Sequence, residues 1–177
     1  MGPDIFLQAL HGWQNFYTLL GGAAVPLTGL MFVAAGLGAR LISDEADPKV
    51  RTFLTPTVVH FSLVLLLSAL MNVPTQTRAA LAAQLAVLGL IGAGYSLSHL
   101  PRLRGFQREG GLERPAWVWK LTLPLFAALW LTGAALGLSR SVSESLDAAA
   151  VGALLLVLVG LHNAWSATLF LARRAPS

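Results

Sequence analysis

The chain contains no cysteine. Disulfide frameworks, thiolate metal sites and thiol nucleophiles are therefore excluded, and the redox compartment stays open. Charge is scarce as well, at 11% of residues. All eight acids, from Asp4 to Asp147, fall in polar segments or at the ends of apolar runs. A carboxylate-driven pump or a carboxylate-bound metal needs an acid at depth, so neither is expected. Missing too are HExxH, paired-histidine metal spacing, a phosphate-cradling GxxxxGK[ST] and GxSxG. Ser166 follows His162 by one helical turn, but with no acidic group to orient the pair intramembrane hydrolysis is not expected. These absences point to a non-enzymatic protein with no metal site. The net charge of +4 comes from short basic clusters beside apolar runs. They form no basic helix face, so nucleic acid is not an expected partner.

What is present is apolar length. Hydrophobic residues make up 55% of 177 positions, too many for a water-soluble globule. The pattern predicts an all-α, polytopic integral membrane bundle of five transmembrane helices in a single domain. The expected spans are about 15–41, 52–73, 78–100, 116–138 and 146–172, each long enough at ~1.5 Å per residue to cross a bilayer core. Residues 4–13, with Ile5, Leu7, Leu10 and Trp13 among polar neighbours, read as a short interfacial turn before the first span. The opening Met-Gly-Pro-Asp lacks the basic region of a cleaved signal, so the first run is expected to stay as a span. Pro56 is placed in the first turn of its helix, where a missing N–H costs little. Trp117 and Trp119 read as an aromatic belt.

In lipid, helices associate through close backbone approach at small residues. Gly22, Gly29 and Gly36 repeat every seven residues along the first span and read as its packing face, as do Gly133 and Gly137 in the fourth. With loops on alternate sides, one side carries Arg40, Lys49, Arg51, Arg102, Arg104, Arg108, Arg114, Arg173 and Arg174, with Lys120 at its edge. The other has only Arg78 and Arg140. Ten cations against two put the N-terminus outside and the C-terminus in the cytoplasm under the positive-inside rule. The arginine-rich stretch 101–115 reads as a retention signal for the cytoplasmic side, with contact to acidic lipid or a partner as the alternative.

Polar residues at depth are the candidates for function. With this topology His60 and His162 lie at matching depth, about 14–17 Å from the cytoplasmic boundary at ~1.5 Å per residue. Thr57 and Ser68 accompany the first; Asn163 and Ser166 accompany the second. Three readings fit the cluster: hydrogen bonds that only fix the bundle, the lining of a route for an ion, proton or small solute, or bis-histidine ligation of a b-type haem.

Leu161-His162-Asn163-Ala164-Trp165 in the last span and Thr28-Gly29-Leu30-Met31-Phe32-Val33 in the first resemble small five-helix bacterial inner-membrane proteins of uncharacterised function. That resemblance implies the topology and a bacterial inner (plasma) membrane location, and implies no activity. The reading adopted is a channel or carrier-like protein without a cofactor, embedded in the lipid bilayer. The alternatives are a regulatory or accessory subunit of a larger membrane complex and the haem electron carrier. A bundle this small is expected to act as a homo-oligomer or as a subunit of an assembly.

Overall fold

The computed structural model describes residues 3–41, 48–101, 103–104 and 117–172. Among the described residues five helices of fifteen residues or more occur, and no strand. They are α1 (Pro3–Leu41), α2 (Pro48–Met71), α3 (Arg78–Ser98), α4 (Leu123–Gly137, entered through a π-helical turn, Val118–Thr122) and α5 (Val142–Ala172). Four are long and apolar enough to cross a membrane, through the segments Ile5–Ala34, Arg78–Ser98, Val118–Gly137 and Val142–Leu169. The apolar part of α2, Thr55–Met71, is shorter. The loop between α1 and α2 and the arginine-rich segment 105–116 lie outside the described residues.

The helices are arranged around α5, which lies between α2 and α4; α1 packs along α2, α3 packs along α4, and α2 touches α3 over a smaller area. Short connections, 72–77 and 138–141, put the α2–α3 and α4–α5 junctions at one end of the bundle. Side-chain hydrogen bonds tie that end. The Thr18 hydroxyl donates to Asn72 Oδ1 at 3.2 Å, and Arg78 Nε donates to the Leu138 carbonyl at 2.5 Å. Gln76 Nε2 donates both to the Leu70 carbonyl, at 3.0 Å, and to Gln84 Oε1, at 2.6 Å. Thr77 caps α3 by accepting the Ala80 N–H at 3.2 Å, which satisfies one of the donors a helix start leaves open.

Several boundaries differ from the sequence expectation. Residues 4–13 are no separate interfacial turn: they form the first turns of a continuous 39-residue α1. Because Thr18 meets the end of α2, the residues before it run on past α2, where Phe6, Leu10 and Tyr17 are buried in the same core as Leu138, Val142 and Leu146. The start of α1 thus covers the part of α5 that the shorter α2 leaves bare. Pro56 lies inside α2, since that helix begins at Pro48. Likewise α5 starts at Val142, one turn before the expected residue 146.

The packing face of α1 is also the opposite of the expected one. Phe6, Leu10, Tyr17, Leu20, Ala24 and Met31 are buried, on a stripe spaced by threes, fours and sevens, with half-buried Trp13 and Leu27 completing it. Gly22, Gly29 and Gly36 point away, and a Cβ built on any of them meets no described atom within 4 Å. Gly133 is open in the same way. Only Gly137 of the five expected packing glycines makes a tight approach, with the Ser145 Oγ 2.7 Å from where its Cβ would stand.

The close approaches occur elsewhere. On α5, a Cβ at Gly160 would stand 2.7 Å from Phe61 Cε1 of α2, and one at Gly152 would stand 3.0 Å from the Leu131 side chain of α4. On α3, one at Gly89 would meet the Thr132 Oγ1 and the Ala128 carbonyl of α4, the latter at 2.8 Å. On α1 the tight glycine is Gly21, 2.8 Å from Ser68 Cβ. Dispersion between helices falls steeply with separation, so the missing side chains at these points bring the helices into contact. Accordingly Gly160→Leu should lower thermal stability in detergent by about 1–3 kcal/mol or more through overpacking, whereas Gly29→Leu should leave the isolated chain's stability unchanged. Equal losses from the two would contradict the observed faces.

Candidate functional site

The six candidate polar residues divide into two groups. Register is set by Phe61, whose ring fills the space over Gly160. His60 is next to Phe61 and His162 is two residues from Gly160, so the two histidines do share a level, within about 3 Å at 1.5 Å rise per residue. Their neighbours differ. His60 is buried and meets the Tyr95 ring of α3 edge-on, with centroids 6.5 Å apart and planes at 90°. Tyr95 in turn lies 4.6 Å from the His99 ring. The His99 Nδ1 is 3.0 Å from the Tyr95 carbonyl, a distance that fits an Nδ1–H donating to it. A row of rings therefore runs from the middle of α2 to the end of α3.

Thr57 is fully buried one turn from His60. Ser68 is buried two turns away in the other direction, against Gly21 of α1. Neither the Ser68 hydroxyl nor His60 Nδ1 has a hydrogen-bond partner among the described residues. The same is true of the buried Tyr17 hydroxyl on α1 and of Asn163 Nδ2 on α5. Tyr17 adjoins Thr18, which is bonded to Asn72 one turn above Ser68. Four buried polar groups without partners thus lie on α1, α2 and α5.

His162 belongs to the second group. It is half-buried and stacks face to face on Trp119, with centroids 3.8 Å apart and planes 14° from parallel. Trp119 sits in the π-helical turn, where the Leu123 N–H reaches back to the Val118 carbonyl. The cause is in the sequence: Pro124 has no N–H to give the Lys120 carbonyl, and its ring crowds that carbonyl, so the turn widens by a residue. Ser166 is tied to its own helix, its hydroxyl donating to the His162 carbonyl at 3.0 Å.

Tyr17, Tyr95 and Trp119 are the residues that sequence reasoning missed. Trp119 was expected in a headgroup belt, and the signal that could have moved it inward was Pro124 four residues after Lys120. For Tyr17 the signal was the stripe of large residues on α1. Among the described residues no group of three His, Asp or Glu side chains lies close enough to hold a metal ion.

The described residues form an all-helical bundle, four of whose helices are long and apolar enough to cross a membrane, around an apolar core that includes a few buried polar side chains. No family model, no curated protein and no solved structure matches the chain.

The stack makes a separate prediction. His162→Ala removes a ring contact and should cost about 0.5–1.5 kcal/mol beyond the lost area, while His162→Phe keeps the stack and most of the stability. Thermal melts of the two variants in detergent, with tryptophan emission as the signal, check it. Identical melts would show that the stack contributes nothing.

Proposed function

We propose that the protein is a non-enzymatic channel or carrier-like membrane protein, moving a proton, another ion or a small hydrogen-bonding solute along the interior face of α2. The observation that carries this reading is a group of four buried atoms without partners on α1, α2 and α5: the Tyr17 hydroxyl, Ser68 Oγ, His60 Nδ1 and Asn163 Nδ2. Inside a bundle an unpaired polar group is costly, and one that only fixes the fold is paired. Groups left open at successive levels suit a passing partner. From Ser68 to His60 is eight residues, about 12 Å at 1.5 Å per residue, and the rings of Tyr95 and His99 extend the row toward the opposite end. Hydroxyl and imidazole groups both donate and accept, which a relay of protons or of a hydrogen-bonding solute requires.

The test separates this from a purely structural cluster. His60→Leu removes an imidazole whose Nδ1 has no partner, which offsets the lost edge contact with Tyr95, so stability should hold within about 0.5 kcal/mol. Flux of protons or solute in proteoliposomes should fall to background, and His60→Gln should restore part of it. A structural cluster would give the reverse: a loss of about 1–2 kcal/mol with flux unchanged.

A second reading, a homo-oligomer or a subunit of a larger membrane complex, is favoured by the open faces at Gly22, Gly29 and Gly36, which fit a helix of another chain. The haem reading has less support, because His60 faces Tyr95 and His162 lies on Trp119, giving the two rings different surroundings.

We place the chain in a bacterial inner membrane, as the sequence resemblance implies, and put the 72–77 and 138–141 turns outside on the ten-to-two distribution of cations. Single cysteines address orientation and assembly together. Cysteine at the exposed Thr75 or Ser143 should react with an impermeant reagent from outside, and cysteine at Arg104 should not. Cysteine at Gly29 should form an intermolecular cross-link if copies pair there. Labelling of Arg104→Cys alone would invert the orientation.

A further inference from the structure

A groove of about 520 Å³ runs along the outer surface of α4 and over the start of α5. Its walls are Phe126, Leu129 and Trp130, all exposed, with the Phe126 and Trp130 rings 5.2 Å apart. Its floor is formed at Gly133 and Gly137. At the end of the groove, beside the 138–141 turn, stand Arg140 and Glu144. They are four residues apart, yet among the described residues no ion pair joins them to each other or to another side chain. From Phe126 to Gly137 is eleven residues, about 16 Å at 1.5 Å per residue, close to the ~15 Å of one leaflet's hydrocarbon.

We infer that this groove holds one phospholipid of the leaflet at that end, with an acyl chain along Phe126, Trp130 and Gly133 and a head group bearing both a phosphate and a primary ammonium between Arg140 and Glu144. The apolar length matches one acyl layer, and among the described residues the charges lining the groove, Arg140 and Glu144, stand at its head-group end. They are of opposite sign and neither is neutralised by the other, which complements a zwitterionic head: guanidinium to phosphate, carboxylate to ammonium. A second protein helix suits the groove less well. The Gly133 and Gly137 surface that would receive it is already occupied at Gly137 by the Ser145 hydroxyl from within the chain. The inference does not depend on the polar interior, which lies on the other faces of the bundle.

The full chain, delipidated in detergent and then mixed with equal amounts of an ethanolamine-headed and a glycerol-headed phospholipid, is read by native mass spectrometry. The wild type should retain one ethanolamine-headed lipid in preference, by about fivefold, the scale of one partly exposed charge pair. Glu144→Gln should bring the two lipids to parity. Arg140→Gln should weaken both. Gly133→Leu, where a side chain meets no described atom within 4 Å and the fold has room for it, should displace both lipids by filling the groove. Retention unchanged in Gly133→Leu and Arg140→Gln would overturn the site. Equal retention of both lipids by the wild type would overturn the head-group assignment. Absence of lipid from the wild type together with cross-linking between copies in Gly133→Cys would overturn the lipid and show that a second chain occupies the groove instead.

Discussion

The approach of bulky side chains to two glycines of α5 is the contact on which the rest of the bundle depends. In hydrocarbon there is no hydrophobic drive between helices, so association rests on dispersion at short range and on hydrogen bonds. Phe61 fits over Gly160 and Leu131 over Gly152, which fastens α2 to one face of α5 and α4 to another. With those contacts made, α1 and α3 have only to cover the outer sides of α2 and α4. A side chain larger than glycine at Gly160 would push α5 from α2, and one at Gly152 would push α5 from α4. The level shared by His60 and His162 is a by-product of the same contact, because Phe61 is adjacent to one and Gly160 is near the other.

Apolar length and turn residues made the helices and their order legible in the sequence, and the rise per residue made the depth of the histidines legible. Which face of each helix turns inward was not. On α1 two stripes compete, one of glycines at sevenfold spacing and one carrying Phe6, Leu10, Tyr17 and Leu20. A small-residue stripe indicates a face that another helix could approach; it does not say whether that helix belongs to the same chain. The large residues won because α2 offers Ser68 and its neighbours to Gly21, one step away from the glycine stripe. Gly89 stands four residues before Ala93 and Gly152 four after Ala148, small-residue spacings that are legible in the sequence, whereas Gly160 stands in a run of Val and Leu that does not mark it as a contact. Neighbours were equally hidden. His60 and His162 share a level as expected, but a one-dimensional spacing could not show that one meets Tyr95 and the other Trp119.

The hydrogen bonds are unevenly distributed along the bundle. At the end with the short turns, Thr18, Asn72, Gln76, Gln84 and Arg78 are all engaged, several of them between helices. That end has the marks of a fixed closure: defined partners, a capped helix start and an arginine seated on the last carbonyl of a neighbouring turn. Deeper in, the interior polar groups are fewer and less paired. A bundle that needed polar contacts for cohesion would carry them where α2, α4 and α5 meet, yet that junction is made by glycine, leucine and phenylalanine. At that junction the close contacts are made by residues other than the buried polar ones, whereas Ser68 on Gly21 and Thr132 on Gly89 take part in the packing of α1 and α3.

The behaviour of the hydroxyl residues sharpens that distinction. Serine and threonine in apolar helices ordinarily return their proton to the carbonyl one turn back, which leaves nothing to offer a neighbour. Thr28, Ser96, Thr132, Ser145, Ser166 and Thr168 all do so, bonding the residue four positions earlier. Ser68 does not, although α2 is helical through the Val64 carbonyl that would accept it. Its hydroxyl is buried beside the Gly21 backbone, on the same interior side of α2 as His60, whose Nδ1 is likewise unpaired. Four of the unpaired atoms, on Tyr17, Ser68, His60 and Asn163, lie on α1, α2 and α5, so three of the five helices each bring to the interior a polar group that their own carbonyls do not satisfy; a further one, Trp117 Nε1, lies at the entry to the π-helical turn.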